Sequence, residues 1–361
     1  MKRELTVYIG TYTHGSSGGI YCLRLDLSGR TFSKPSLAAF AENPSYLAVS
    51  PDERFLYAVS ETARFAGRDS GAVSAFEIDA KSGRLRLLNQ QPTAGAGPCH
   101  LTVTPDGRHV LVANYSGGSI CVLPVKPDGK LGEPSDIVQH LDLPRADGPP
   151  RKPHAHSIAL HPEGKFAYAA DLGLDSVFVY RFDREQGTIR TANIPPVRLP
   201  DGAGPRHLAF AAGGSFAYVL NELASTVASF SAATRTGYLT EMQTVSTLPD
   251  SFTGNSAAAE ISVHPTRNYL YCSNRGHDSI AVFNIDCRDG MLTPVEHTPS
   301  GGQTPRHFSV DPTGQYLVTA NQDSDLLATF RIDPDTGRLY PTGAVAEVPS
   351  PACVQFVPNN G

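Results

Sequence analysis

Side chains able to move protons or hold anions recur at one place in this chain, where short apolar segments begin and end. His154 and His156 stand in PHAHS, Arg206 and His207 in GPRHLAF, Asn221 and Glu222 close YVLNE, Arg275 lies in SNRG, and Arg306 and His307 lie in TPRHFSV. His100, Asp171 and Asn321 occupy the matching positions of other segments. Imidazoles and a carboxylate suit general acid–base work near neutral pH, and forked guanidinium donors suit phosphates, carboxylates and oxyanions. Acid–base work by one of the two imidazoles of PHAHS, His154 or His156, is the preferred reading. Glu222 beside Arg206 reads either as a surface ion pair or as a working carboxylate, and the functional reading is preferred. Arg275 either caps a loop or reaches the same site; the residues alone leave that open.

Metal chemistry is not expected. Alternate strand residues share a face, so the two imidazoles of PHAHS could chelate, but no third ligand follows nearby. The cysteines at 22, 99, 121, 272, 287 and 353 contain no CxxC pair and read as reduced thiols, so no cofactor is implied. Three tempting motifs are declined. Cys99 and His100 are strand neighbours and should face opposite ways, which rules out a thiol with its base. Gly15–Gly19 fits GxSxG formally but joins two strands, where a nucleophile elbow needs a helix. The chain has no Trp, hence no Trp-Asp repeat.

The elements that must position these groups emerge as a repeat. An apolar strand, a Pro-Asp-Gly-like turn, a second strand ending in Asn or a similar residue, a third strand and a Gly-x-Leu step return around Pro51, Pro105, Pro162, Ala212, Pro265 and Pro312. Units near 50 residues with four strands and no helical pattern are propeller blades. Six such units leave half a unit at each end. PACVQFV from Pro351 is a first strand without successors, and LTVYIGTYT, GGIYCLRLD and GRTFSKPSL are second to fourth strands lacking a first. Joined, they make a seventh blade and leave no open sheet edge. The fold expected is therefore all-β: one seven-bladed β-propeller of four-stranded antiparallel blades over residues 1–361, closed by pairing the C-terminal strand with the N-terminal ones. Cys22 and Cys353 would then be separated by an intervening strand and could not bridge.

First strands start, and second strands end, on the face that also carries the long connections Thr62–Ser70, Leu141–Lys152 and Asp250–Asn255. The candidate residues converge there on a funnel. The connections offer charged rather than large apolar side chains, among them Arg64, Arg68, Asp69, Arg145, Asp147 and Arg151, which disfavours a protein-binding rim.

Composition limits the partners. A net charge of −5 argues against a general nucleic-acid surface, and 40% hydrophobic residues with 33 Gly and 29 Pro suit many short strands joined by turns. No run approaches the roughly 18 apolar residues of a membrane span. The first residues show no apolar secretory core, so a cytoplasmic location is expected. The oligomeric state is open, a homodimer included.

The combination of PHAHS, GPRHLAF, Tyr218-Val219-Leu220-Asn221-Glu222, SNRG and TPRHFSV on seven such blades resembles the seven-bladed propeller lactonase family. That family includes propeller-type 6-phosphogluconolactonase and carboxy-cis,cis-muconate lactonizing enzyme. The resemblance covers essentially the whole chain, departing from the family's Pro-containing turn at Ala211–Gly214. It implies catalytic roles for His156, Glu222, Arg206 and Arg275, with Arg206 and Arg275 anchoring substrate. His154, His100, His207, Asp171, Asn221, Arg306, His307 and Asn321 are the further substrate-binding candidates. The implied reaction is hydrolysis of an anionic sugar lactone, 6-phospho-D-glucono-1,5-lactone first. Lactone formation from a carboxymuconate, or a non-catalytic binding propeller, are the alternatives.

Overall fold

The computed structural model describes residues 4–27, 30–142 and 150–358. Arg145 and Asp147 lie outside them. Seven antiparallel sheets follow one another around an axis, six of them with their strands in sequence order from the innermost outward. Blades are numbered here from the first complete unit. Blade 1 holds Leu47–Val49, Phe55–Ser60, Ala72–Ile78 and Leu85–Pro92. The first strands of blades 2 to 6 are Pro98–Val103, Ala155–Leu160, Pro205–Phe210, Ala257–Val263 and Pro305–Val310.

Blade 7 is the composite unit. Pro351–Pro358 pairs antiparallel with Glu4–Thr11, which pairs with Gly19–Asp26; two short segments, Thr31–Phe32 and Ser36–Phe40, share the outer position. The closure expected from the two half-units is therefore present. All six cysteines are free, and Cys22 and Cys353 lie on either side of the strand Glu4–Thr11.

Second strands are buried along their whole length in blades 1, 2, 3 and 6, because each is sandwiched between neighbouring strands and both adjacent blades. Their aromatic residues tie the ring together. The hydroxyls of Tyr8, Tyr57, Tyr168, Tyr218 and Tyr271 donate to the carbonyls of Gly83, Gly129, Gly237, Gly290 and Gly337, each at 3.0–3.1 Å. Each acceptor is the glycine of the following blade's Gly-x-Leu step. Those glycines have φ between 71° and 86°, a region costly for any residue with a Cβ, so the recurring glycine follows from the turn that presents its carbonyl. One such bond is worth about 0.5–1.5 kcal/mol net, and burying the ring adds more.

The degenerate turn at Ala211–Gly214 changes little. Gly213 and Gly214 both take positive φ, the closing bond from Ala211 N to Phe216 O is 2.9 Å, and blade 3 makes the equivalent bond from His161 N to Phe166 O at the same length.

Deleting residues 351–361 removes the innermost strand of blade 7 and uncovers the edge of Glu4–Thr11. The truncated chain is expected to aggregate or to melt far below the intact one, as read by size-exclusion chromatography and thermal denaturation. Monomeric elution with an unchanged Tm would contradict closure by this strand.

Candidate active site

The innermost strands carry an irregularity that sets the site. In blades 2, 3, 4 and 6 the ladder slips by one residue at its upper end: Pro98 pairs with Asn114 and His100 with Ala113, so that Cys99 is unpaired, and His156, Arg206 and Arg306 are bulged in the same way. Blade 5 also slips by one, with Ala259 and Glu260 together opposite Ser273. A bulge breaks the alternation of side chains. Successive residues consequently both reach the central channel: Arg206 Nη1 lies 3.0 Å from Nε2 of His207, its own neighbour. Cys99 likewise meets His156 across the blade boundary at 3.7 Å, while His100 packs on His207 and Tyr46. Cys99 and His100 make no mutual hydrogen bond although the strict alternation expected of a regular strand is absent here: Cys99 is engaged with His156, and His100 with Tyr46 and His207.

Two layers result. The upper one centres on Glu222, just beyond the second strand of blade 4. Its Oε2 is 3.0 Å from Arg206 Nε and 3.7 Å from His156 Nε2, and its Oε1 is 3.0 Å from Arg275 Nη2. Arg275 is steadied by the carbonyls of Ala257 and Ala258, to which it donates at 3.3 and 3.2 Å, and Arg206 donates through Nη1 to the Ala259 carbonyl. The Glu222 and Arg275 side chains keep 17% of their surface accessible against 4% for Arg206, so a ligand entering the funnel meets the first two. Arg275 thus both reaches Glu222 and holds the carbonyls at the start of blade 5, and the Glu222 ion pair is largely buried and not a surface one.

The lower layer consists of Tyr46, His100, His207, His307 and Glu260. Glu260 is buried and lies 3.1 Å from His207 Nδ1 and 3.3 Å from His307 Nε2. Val354 N donates to His307 Nδ1, so the ring's own proton sits on Nε2, facing the carboxylate. His100, His207 and His307, expected to touch substrate, are thus buried beneath the upper layer.

Other candidates are taken up inside their blades. Asp171 is fully buried and accepts from the amides of His154 and Leu174 while pairing with His140 at 2.7 Å. The amide group of Asn221 donates to Thr226 Oγ1, and that of Asn321 to Ser300 O and Thr319 Oγ1. Strand ends needing side-chain partners for their loops account for all three, in place of the substrate contacts expected. His154 stacks on Tyr115 at 4.5 Å, and His156 meets the edge of the same ring. Among the described residues no group of three potential ligands could hold a metal ion.

Sequence reasoning missed Glu260, Tyr12 and Glu61. Glu260 and Glu61 were visible at matching positions but not selected, and Tyr12 lies directly after its second strand, as Glu61 and Glu222 do. Tyr12 hydroxyl donates to Glu61 Oε2 at 2.9 Å and accepts from Arg306 Nη2 at 2.6 Å.

Burial governs the electrostatics. His156 is held well below the usual imidazole range by burial first and by Arg206 second, and His207 likewise; His100 is pushed down to about 4. Burial also lowers His307, against the pull of Glu260. Arg206 is brought down to about 10 by burial, and with Glu222 opposing this it stays charged at neutral pH.

A family model described as Lactonase, 7-bladed beta-propeller, matches residues 6–356. The chain belongs to this lactonase family. A curated relative, the 6-phosphogluconolactonase of Bacillus subtilis, is 38% identical over 302 residues, 83% of each chain. Another 6-phosphogluconolactonase, from Formosa agariphila, is 29% identical over 306 residues, covering 83% of this chain and 85% of its own. The solved periplasmic gluconolactonase of Pseudomonas aeruginosa superposes with a TM-score of 0.90 at 36% identity, over 98% of this chain and 99% of that one. No helix among the described residues of this lactonase-family propeller is long and apolar enough to cross a membrane.

The four depressed imidazoles give a stability prediction. Each is neutral in the fold but takes a proton near pH 6.5 once unfolded, so their contribution is complete above pH 6.5 and is lost as pH falls toward the folded values, about 4 for His100. Thermal melts should show a Tm that is level from pH 8 to 7 and begins to fall near 6.5, above the range where carboxylates titrate. A Tm that stays level down to pH 5 would contradict the neutral, buried histidines.

Proposed function

We propose that this protein hydrolyses a sugar lactone, 6-phospho-D-glucono-1,5-lactone first, without a metal. The observation that carries the reading is a buried His156 beside a partly accessible carboxylate gripped by two arginines, with burial favouring the neutral imidazole. An imidazole kept neutral at pH 7 is ready to accept a proton, whereas a carboxylate neutralised by two guanidiniums is a poor base. His156 Nε2 therefore draws a proton from water as the water oxygen adds to the lactone carbonyl. The imidazolium that forms is stabilised by Glu222, 3.7 Å away. Collapse of the tetrahedral intermediate breaks the bond from the carbonyl carbon to the ring oxygen, which takes the proton back and leaves as a hydroxyl; the new carboxylic acid then ionises to solvent.

The oxyanion needs donors already in place. Nη2 of Arg206 and Nη1 of Arg275 make no hydrogen bond to protein among the described residues, while Nη1 of Arg206 and Nε and Nη2 of Arg275 are held by backbone carbonyls. These two groups are assigned to the developing charge. A phosphorylated substrate also carries a cellular address, because such sugar lactones arise and are consumed in the cytoplasm; the reading thus places the protein there, in the pentose phosphate route. The Pseudomonas relative, named a periplasmic gluconolactonase, shows that the family's fold serves another compartment as well.

Three measurements test this. His156→Asn and Glu222→Gln should each lower kcat for lactone opening, corrected for spontaneous hydrolysis, by about 10² or more with the fold intact; wild-type turnover in both would clear them of catalysis. Because the base must be unprotonated, kcat/KM should be lost only on the acid side, with a midpoint below 6.5, the direction in which burial shifts His156. A midpoint at or above 6.5 would contradict His156 as the base. Activity should survive EDTA, and a complete loss restored by zinc would revive a metal mechanism.

A further inference from the structure

The arginines of the funnel differ in what neutralises them. Arg206 and Arg275 share the Glu222 carboxylate. Arg306, from blade 6, has no carboxylate at ion-pair distance among the described residues. It is held instead by a neutral group: Nη2 donates to Tyr12 Oη at 2.6 Å, and the guanidinium carbon sits 5.1 Å from the centre of the same ring. The Tyr12 hydroxyl passes its own proton toward Glu61 Oε2, which also accepts from Ser45 Oγ. Tyr12 thus stands between Arg306 and Glu61, fixing the cation without cancelling it. Arg306 is only half-buried, and its Nε and Nη1 are uncommitted among the described residues.

Charge balance then divides the funnel. A phosphate laid against Arg206 or Arg275 would face the Glu222 carboxylate, a like charge in a poorly hydrated place. Arg306 offers the fork with no carboxylate in direct contact among the described residues, from blade 6 and thus outside the blade 3–5 group formed by His156, Glu222 and Arg275. Burial works against its charge, but Tyr12, Glu61 and Glu222 outweigh that and hold it firmly protonated.

We propose that Arg306, oriented by Tyr12, binds the anionic substituent of the substrate remote from the reacting carbonyl, and that it decides between a phosphorylated and an unphosphorylated lactone. This rests on the lactonase reading and adds the specificity that family membership leaves open, since the relatives are named for both kinds of substrate. Arg306 is the specificity residue and Tyr12 a positioning residue. A neutral sugar has no group that uses a bare guanidinium as well as a phosphate does.

The test measures kcat/KM for 6-phosphogluconolactone and for gluconolactone in the wild type, Arg306→Met, Arg306→Lys and Tyr12→Phe, with calorimetric binding of 6-phosphogluconate and gluconate alongside. The wild type should prefer the phosphorylated ligand. In Arg306→Met that preference should fall about 10- to 150-fold, the range of one charge-assisted hydrogen bond. Arg306→Lys, which keeps charge but not the fork, should retain part of it, and this variant carries the test if the methionine protein does not fold. Tyr12→Phe should lose a smaller share, mainly in KM for the phosphorylated lactone. No wild-type preference, equal losses on both ligands in the Arg306 variants, or a larger loss of preference in Arg275→Met would each overturn the assignment. Should the wild type open neither lactone, the lactonase reading fails while the calorimetric preference and its loss in Arg306→Met still decide the role of Arg306.

Discussion

One extra residue at the top of the innermost strand is the constraint on which the chemistry depends. A regular strand would send alternate side chains into the channel and the others between blades. The bulge turns two successive residues inward, and it does so in blade after blade. That doubling makes room for two layers. The deeper residues close the channel with Tyr46, the three histidines and Glu260, while the bulged residues Cys99, His156, Arg206 and Arg306 line the open end. Without the slip in register, Arg206 and His207 could not both lie on the axis, and Glu222 would lose one of the guanidiniums that grip it.

Concentrating charge in this way is costly, and the architecture offsets the cost locally. A buried ion pair is stabilising only when its geometry is good and its remaining donors are satisfied; removing one partner then strands the other. Glu222 has two partners, and each arginine is also anchored on backbone carbonyls of blade 5, leaving one terminal nitrogen of each for a ligand. Below them, Glu260 holds two imidazoles whose neutral state burial enforces. The tyrosine-to-glycine bonds between blades keep neighbouring first strands in a fixed relation, so groups from different blades meet at hydrogen-bond distances without a shared loop. This fixed polar environment is what a reaction with a transient oxyanion requires.

Much of this was legible in the residues. Turn marks at Pro51, Pro105, Pro162, Ala212, Pro265 and Pro312 revealed the blades, and the two unmatched ends revealed the closure, because both follow from local strand and turn chemistry. Position within the repeat also brought His156, Arg206, Glu222, Arg275 and Arg306 to one rim. What stayed hidden was the register slip. A bulge is a property of two strands counted against each other, and no single strand displays it. For that reason His100, His207 and His307 were expected at the surface of the funnel when they form its plug, and Glu260, which holds two of them, was passed over. Asn221, Asn321 and Asp171 misled for another reason: a polar side chain at a strand end serves its own loop as readily as a ligand. Tyr12 and Glu61 share the repeat position of Glu222, directly after a second strand, but only closure of the ring brings blade 7 beside Arg306.

The central claim is that His156 and Glu222 move one proton as a unit, the imidazole carrying it and the clamped carboxylate stabilising it. A double-mutant cycle on lactone opening tests this most directly, with His156→Asn, Glu222→Gln and their combination compared at one pH after confirming by circular dichroism and melting that each is folded. The account predicts that the double variant is little worse than the more damaged single one, because the second change removes a partner whose task has already gone. Losses that multiply, so that the double variant falls by the product of the two, would show two independent groups and contradict it.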